Sequence, residues 1–181
     1  MDWLRRIETV IRIERVQKIE AAERQFCTAV HLFFSESDSV SIHTLGWAAH
    51  EIFDRSKGSG GSLLHEFVEL AEDGTTRRKL EEAMRFFKHH QGAQFKEIKF
   101  IENLNEWLLL DCSLMHRKLT TQLLPETKAI SAYMSVCFPN IVPFKSPFPN
   151  GLEHLRNAWG REKHFYLDFI KTRHSHRFCR Y

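Results

Sequence analysis

Apolar residues recur at helical spacing along most of this chain, and that periodicity is the strongest constraint on its fold. In the first segment the spacing of three or four residues runs through Ile19, Ala22, Phe26, Val30 and Phe33. Only 8 glycines and 5 prolines interrupt the 181 residues, as expected where most of a chain is helical. The sequence therefore predicts an all-α protein, an irregular bundle of six to eight helices.

Caps and breaks mark where the predicted helices begin and end. We expect helices at about residues 2–34 (with a kink or a break at 12–16), 40–57, 63–71, 77–90, 102–121, 125–137 and 152–172. Asp38 or Ser39 can cap the second helix, and Gly160 is a candidate kink in the last. Residues 94–101 alternate apolar and charged side chains, which allows a short extended piece.

The length and the absence of internal repeats indicate one domain spanning residues 1–181. Residues 139–149 hold four of the five prolines and predict a loop that packs its own aromatic side chains. Residues 173–181 form a basic tail. The net charge of +3 is too small to indicate a nucleic-acid-binding protein by itself, and nothing in the sequence points to DNA.

The four cysteines are far apart and form no pair with metal-ligand spacing. A disulfide framework or a structural zinc site is therefore not expected. Residues 1–6 lack the apolar core of a signal peptide, and no uncharged run approaches the length of a membrane span. These features predict a cytoplasmic protein without a membrane partner.

The second predicted helix carries an unusual polar stripe. Ile42, Leu45, Ala48, Ala49, Ile52 and Phe53 cluster on the side expected to face the core. The opposite side carries His43, Trp47, His50 and Asp54, here called the histidine stripe. A tryptophan away from the core suits a subunit contact or a ligand groove; the alternative is a helix buried on both sides. The binding interpretation requires an exposed or interfacial Trp47.

A metal site on this stripe has little support. His43 and His50 are two helical turns apart, about 10 Å along the axis, and cannot hold one ion by themselves. The chain also lacks the Glu-x-x-His and His-Glu-x-x-His motifs of helical metalloproteins. We predict no metal and no cofactor.

Asp111 interrupts the nearly apolar run 107–115. An unpaired charge in such a helix would be very costly, so the carboxylate requires a cationic or hydrogen-bonding partner. An arginine or histidine of a neighbouring helix is expected. A structural pair and a catalytic carboxylate both remain open.

The run from Arg85 to His90 ends a predicted helix with two histidines, His89 and His90. Cations are favoured near a helix C-terminus, so the two histidines can be explained by helix stability without any functional role. Arg85-x4-His90 also resembles the Arg-x4-6-His signature of HEPN domains, which are helical bundles that include metal-independent ribonucleases. This chain has Phe86 after the arginine, where those ribonucleases commonly have a polar residue.

The HEPN resemblance implies that Arg85 holds the scissile phosphate and that His90 or His89 moves a proton at a dimer interface. Both roles suit the side chains, since a guanidinium matches a phosphate and an imidazole titrates near neutral pH. RNA would then be the partner, in a toxin or defence setting.

Other segments resemble a family of uncharacterised bacterial helical proteins, over about the first two-thirds of the chain. The resemblance is carried by residues 22–25, 29–34, 42–45, 48–52 and 86–89. It implies no activity.

Two functions therefore remain open. The first is a binding or assembly protein, with a homodimer or another protein as partner, acting through His43, Trp47, His50, Asp54 and Asp111. The second is the HEPN-like ribonuclease acting through Arg85, His89 and His90. Whether the chain is an enzyme is not decided by its residues.

Overall fold

The computed structural model describes residues 14–70, 82–87, 97–142 and 151–175. In these ranges the regular structure is entirely helical, and the predicted all-α class is confirmed. The helices are α1 (Lys18–Phe34), α2 (Ser39–Asp54), α3 (Leu63–Leu70), α4 (Leu104–Leu119), α5 (Pro125–Cys137), α6 (Gly151–Ala158) and α7 (Lys163–Ser175). Residues 82–87 are also helical.

The start of α2 follows the predicted capping. The Asp38 carboxylate accepts a hydrogen bond from the Ser41 backbone N–H at 2.7 Å, which satisfies one of the free donors of the first turn. The helix ends at Asp54 rather than at residue 57. A turn replaces its last predicted residues, because the Ser56 N–H donates to the Phe53 carbonyl at 3.0 Å.

The last predicted helix, 152–172, is two helices, so the expectation of one kinked helix was wrong. Residues 159–162 form a turn between α6 and α7, and Gly160 has a φ of 52°. That left-handed conformation costs little for glycine and ends a helix rather than bending it. α7 continues to Ser175, so the start of the predicted basic tail is helical.

Other predictions fall partly outside the described residues. Residues 14–17 are not helical, in agreement with a break before α1. Residues 97–101 form no strand, so the extended piece is not found in the part that can be described. The first helix before residue 14, most of 77–90 and most of the 139–149 loop lie outside the described ranges.

The core is built around α2, which packs against α1 and α4. α5 packs against α4, and α7 closes the bundle against α5 and α1. The aromatic richness of the sequence reappears here, since Phe34 stacks on Tyr166 with ring centroids 5.3 Å apart. No described helix is long and apolar enough to cross a membrane.

Candidate functional site

The carboxylate of Asp111 is the centre of a buried polar cluster. Its Oδ2 atom accepts hydrogen bonds from Ser62 Oγ at 2.6 Å and from His50 Nε2 at 2.9 Å. All three side chains are at most 3% exposed. We refer to His50, Ser62 and Asp111 as the Asp111 cluster. The predicted histidine partner from a neighbouring helix is confirmed.

Asp111, on α4, also caps the N-terminus of α3, although the two are far apart in sequence. Its Oδ1 accepts from the Leu63 N–H at 3.0 Å and its Oδ2 from the Leu64 N–H at 3.3 Å. Ser62 Oγ accepts from the His65 N–H at 3.1 Å. A negative charge at this end of a helix is favourable. Asp111 therefore anchors the first turn of α3, which follows the glycine-rich residues 58–61, onto α4.

These hydrogen bonds set the ionisation of the carboxylate. Burial raises the pKa of Asp111, but the hydrogen bonds from His50 and Ser62 lower it, and the net result is a pKa below the usual value. Because the ionised carboxylate only accepts hydrogen bonds, Nε2 of His50 must carry the proton.

The Asp111 cluster contains a serine, a histidine and an aspartate but is not arranged as a hydrolytic triad. A triad histidine uses one ring nitrogen for the serine and the other for the aspartate. Here His50 uses Nε2 for both, and Ser62 donates directly to the carboxylate. Ser62 is only 3% exposed. The geometry supports a structural pair rather than a nucleophile with its base.

His43 begins the same stripe and is held by a second polar pair. Its Nδ1 donates to Asn105 Oδ1 at 2.9 Å, and Asn105 Nδ2 donates to the Ser39 carbonyl at 2.9 Å. The ring of His43 lies 5.8 Å from that of Phe87 and 4.9 Å from that of Phe100, with edges towards faces. Burial lowers the pKa of His43, so the neutral form is favoured.

Trp47 is not on a surface. It is 5% exposed, and its ring lies between those of His43 and His50, at 6.1 and 4.7 Å. The binding interpretation of the histidine stripe, which required an exposed or interfacial Trp47, therefore fails at Trp47, and the alternative of a helix buried on both sides is correct. The physical reason is that α2 packs against α1 on one side and α4 on another, while Phe87 and Phe100 lie over His43.

The buried stripe retains three polar atoms without a hydrogen-bond partner in the described part of the chain. They are His43 Nε2, Trp47 Nε1 and His50 Nδ1. Their rings are instead packed edge-to-face against one another.

Exposed side chains lie at each end of the buried part of the stripe, His43 to His50. At the His50 end, the ring of His65 lies 5.5 Å from that of His50 and its Nδ1 lies 3.5 Å from Asp54 Oδ2. The side chain of His65 is 55% exposed and that of Asp54 is 26% exposed. At the His43 end, Arg85 is exposed on the helical residues 82–87, which Phe87 anchors against His43. We call Asp54, His65 and Arg85 the rim.

The structure thus brings the predicted residues His43, Trp47, His50, Asp54 and Asp111 into one region. His89 and His90 lie outside the described residues. Within the described ranges, no group of three or more metal-ligating side chains could hold an ion. Ser62, His65 and Asn105 do not stand out in the sequence. The one available signal is that Ser62 follows a glycine-rich linker and precedes an apolar run, as a helix cap does.

Comparisons with known proteins give no relative: no protein-family model, no curated protein and no solved structure matches this chain.

Proposed function

We propose that this chain is an assembly and binding protein that acts as a homodimer through the rim. The observation that carries this proposal is that Asp54, His65 and Arg85 keep exposed surface while the elements that bear them are anchored to a buried polar network. Such anchoring presents polar groups in fixed positions, which lowers the entropy cost of binding. A bacterial cytoplasmic setting is part of the proposal.

The charges of the rim suit contact with a second copy. A two-fold interface places the same surface on both subunits, so the Asp54 end of the stripe in one copy can meet the Arg85 end in the other. Asp54 supplies the carboxylate and Arg85 the guanidinium, with His65 beside Asp54.

Analytical ultracentrifugation tests this proposal. The protein is expected to sediment as a dimer at a protein concentration of about 10 µM. This corresponds to a Kd in the micromolar range, which is usual for a small polar interface. Arg85→Glu should weaken the dimer by about ten-fold or more, since it opposes like charges across the interface. The matched control is Lys128→Glu, an exposed cation on α5. A monomeric wild type, or equal behaviour of the two variants, contradicts the proposal.

A second candidate is a metal-independent ribonuclease of HEPN type. It is favoured by the exposure of Arg85 on a helical stretch, because a phosphate-binding arginine must reach its substrate. In this proposal Arg85 binds the scissile phosphate and His90 or His89 transfers a proton, and the dimer cleft forms the site.

RNA cleavage by the purified protein separates the two candidates. The ribonuclease proposal expects cleavage of single-stranded RNA that resists EDTA, is lost in Arg85→Lys and in His89→Ala or His90→Ala, and persists in Lys128→Ala. Arg85→Lys keeps the positive charge but removes the paired N–H donors of the guanidinium. Loss of cleavage in this variant would therefore indicate that Arg85 binds a phosphate through those donors. If the protein forms a stable dimer but does not cleave RNA, the ribonuclease proposal is rejected and the assembly proposal stands.

A further inference from the structure

Few apolar contacts hold α3 to the bundle. Among the described helices its backbone approaches that of α4 only, whereas α2 packs against both α1 and α4. Leu63 is 46% exposed, and His65 and Glu66 are exposed as well. Of these first four residues of α3, Leu64 is the one that packs, partly buried, against the hydrophobic core. A helix that buries so little apolar surface gains little free energy from its position.

Polar contacts of its first turn hold α3 in place instead. They converge on Asp111, which accepts hydrogen bonds from Ser62 and from two backbone amides of α3. A further contact is long, since Lys118 Nζ lies 3.4 Å from the Gly60 carbonyl oxygen. The 8 residues of α3 are too few to form a stable helix in water by themselves. Loss of the contacts with Asp111 would therefore release and unfold α3 as one unit.

The segment before α3 has a fixed part followed by a pivot. Ser59 is 4% exposed, and its N–H and Oγ donate to the carbonyls of Ser56 and Asp54 at 3.2 and 3.3 Å, which ties it to the end of α2. The next two residues are glycines, with φ 74° at Gly60 and 78° at Gly61. The Gly61 N–H contacts Ser59 Oγ at the long distance of 3.4 Å. Because glycine enters and leaves the left-handed region at little cost, the chain can turn at these two residues while Ser59 stays in place.

The start of α3 covers one side of the Asp111 cluster. The ring of His65 lies 5.5 Å from that of His50, and Ser62 Oγ lies 3.1 Å from His50 Nε2. With both in place His50 is 1% exposed, and its Nδ1 has no hydrogen-bond partner in the described part of the chain. Detachment of α3 would let water reach this ring. A hydrogen bond from water to the buried nitrogen would offset part of the cost of opening.

We propose that α3 is a lid on the Asp111 cluster. It detaches as a unit at Gly60 and Gly61 while the rest of the described bundle stays folded, and this exposes the cluster to solvent. The open form is a minor state under native conditions. Detachment also carries His65 away from Asp54, so only the closed lid presents the complete rim. The motion itself belongs to one chain and does not depend on the proposed dimer or on RNA cleavage.

Native-state hydrogen exchange of the full chain tests whether α3 opens by itself. After correction for intrinsic rates, the amides of α3 are expected to exchange about ten-fold or more faster than those of α5, and low urea concentrations should accelerate the α5 amides alone. Ile130→Val, at a fully buried position of α5, should accelerate exchange in α5 by about three-fold or more and leave exchange in α3 unchanged. Equal acceleration of both helices would show that α3 is released only when the whole bundle unfolds, and would overturn the proposal.

A matched pair of glycine variants locates the pivot. Gly58 and Gly61 have left-handed φ values of 95° and 78°, and a Cβ atom added at either would meet nothing within 4 Å. Gly61→Ala strains the closed lid and is relieved on detachment, so exchange in α3 should accelerate by about five-fold or more. Gly58→Ala lies before the fixed Ser59 and is strained whether the lid is open or closed, so exchange in α3 should not change. Equal effects of the two variants on α3 would overturn the proposal.

Chemical modification of histidines tests what the lid covers. Diethyl pyrocarbonate modifies accessible imidazole rings, and peptide mass spectrometry identifies the modified residue. Gly61→Ala should raise the modification rate of His50 by about five-fold over the wild type, the factor expected for exchange in α3. His43 is the internal control, because the rings of Phe87 and Phe100 lie over it, and its rate should stay the same. An equal increase at both histidines, or no increase at His50, would overturn the proposal.

Discussion

At Asp111, one carboxylate accepts hydrogen bonds from a histidine, a serine and two backbone amides. The sequence predicted that this residue needs a partner, because it interrupts an apolar run. It also predicted a histidine or arginine, and His50 is that histidine. The amide partners could not be predicted, since they come from a segment almost fifty residues earlier whose position depends on the packing of α3 against α4.

Removal of this carboxylate should be strongly destabilising. Asp111→Ala leaves His50, Ser62 and the first amides of α3 without their acceptor, and we expect a loss of about 3–5 kcal/mol in the free energy of unfolding. Urea denaturation followed by circular dichroism measures it. Glu97→Ala, which removes an exposed carboxylate, should change stability by less than about 0.5 kcal/mol. Equal effects would show that Asp111 does not anchor α3.

His43 should make stability depend on pH. Burial lowers its pKa in the folded state, so the unfolded chain binds the proton more readily. The stability that neutral His43 contributes is fully present above its pKa in the unfolded chain, about 6.5. That stability is lost as the pH falls towards the pKa of His43 in the folded protein. Urea denaturation at pH 7.5 and 5.5 should show a smaller pH-dependent loss in His43→Gln than in the wild type. If His43→Gln lost as much stability between pH 7.5 and 5.5 as the wild type, His43 would not be the source of the pH dependence, whatever the absolute stability of the variant.

At the scale of the element, α2 shows why periodicity alone misplaced Trp47. Of the six apolar positions predicted to face the core, 42, 49 and 53 are buried and 45, 48 and 52 are half-buried. The other side is buried as well, at His43, Gly46, Trp47 and His50. A helix pattern identifies a core-facing side and cannot show that neighbouring elements cover the rest.

Gly46 lies at the close approach of α2 to α4. A Cβ atom there would be 2.9 Å from Leu108 Cδ2 and 3.3 Å from its Cγ. Gly46→Ala should therefore destabilise the protein by about 1–3 kcal/mol, in spite of the gain of about 1 kcal/mol in helix propensity. Denaturation of Gly46→Ala, Leu108→Ala and the double variant measures the coupling. Strictly additive effects would contradict a clash between these positions.

At the scale of the whole molecule, buried side chains from α1, α2, α4, α5 and α7 form one hydrophobic cluster. Histidines add polar links within it. His116 is fully buried in α4 and donates from Nε2 to Glu23 of α1 at 3.0 Å. A continuous core is expected to unfold as a unit.

Urea unfolding should therefore be a single transition. Far-UV circular dichroism, which follows helix content, and near-UV circular dichroism, which follows aromatic packing, should give the same midpoint. The Phe34, Tyr133 and Tyr166 cluster, which joins α1, α5 and α7, contributes to the near-UV signal of the core. An earlier near-UV midpoint would show that aromatic packing is lost before helix content and would contradict one cooperative core.

The sequence alone determined the helical class, the bounds of α5, a cap at Asp38 or Ser39 and the need of Asp111 for a partner. These depend on local spacing or on the cost of an isolated charge, which act wherever the chain folds. Only the tertiary structure decided that Trp47 is buried and that Asp111 caps α3. Each of these depends on which elements cover a helix face, and long-range packing sets that arrangement. Helical periodicity identifies the apolar face of a helix, but it does not determine which elements pack against that face or against the opposite one.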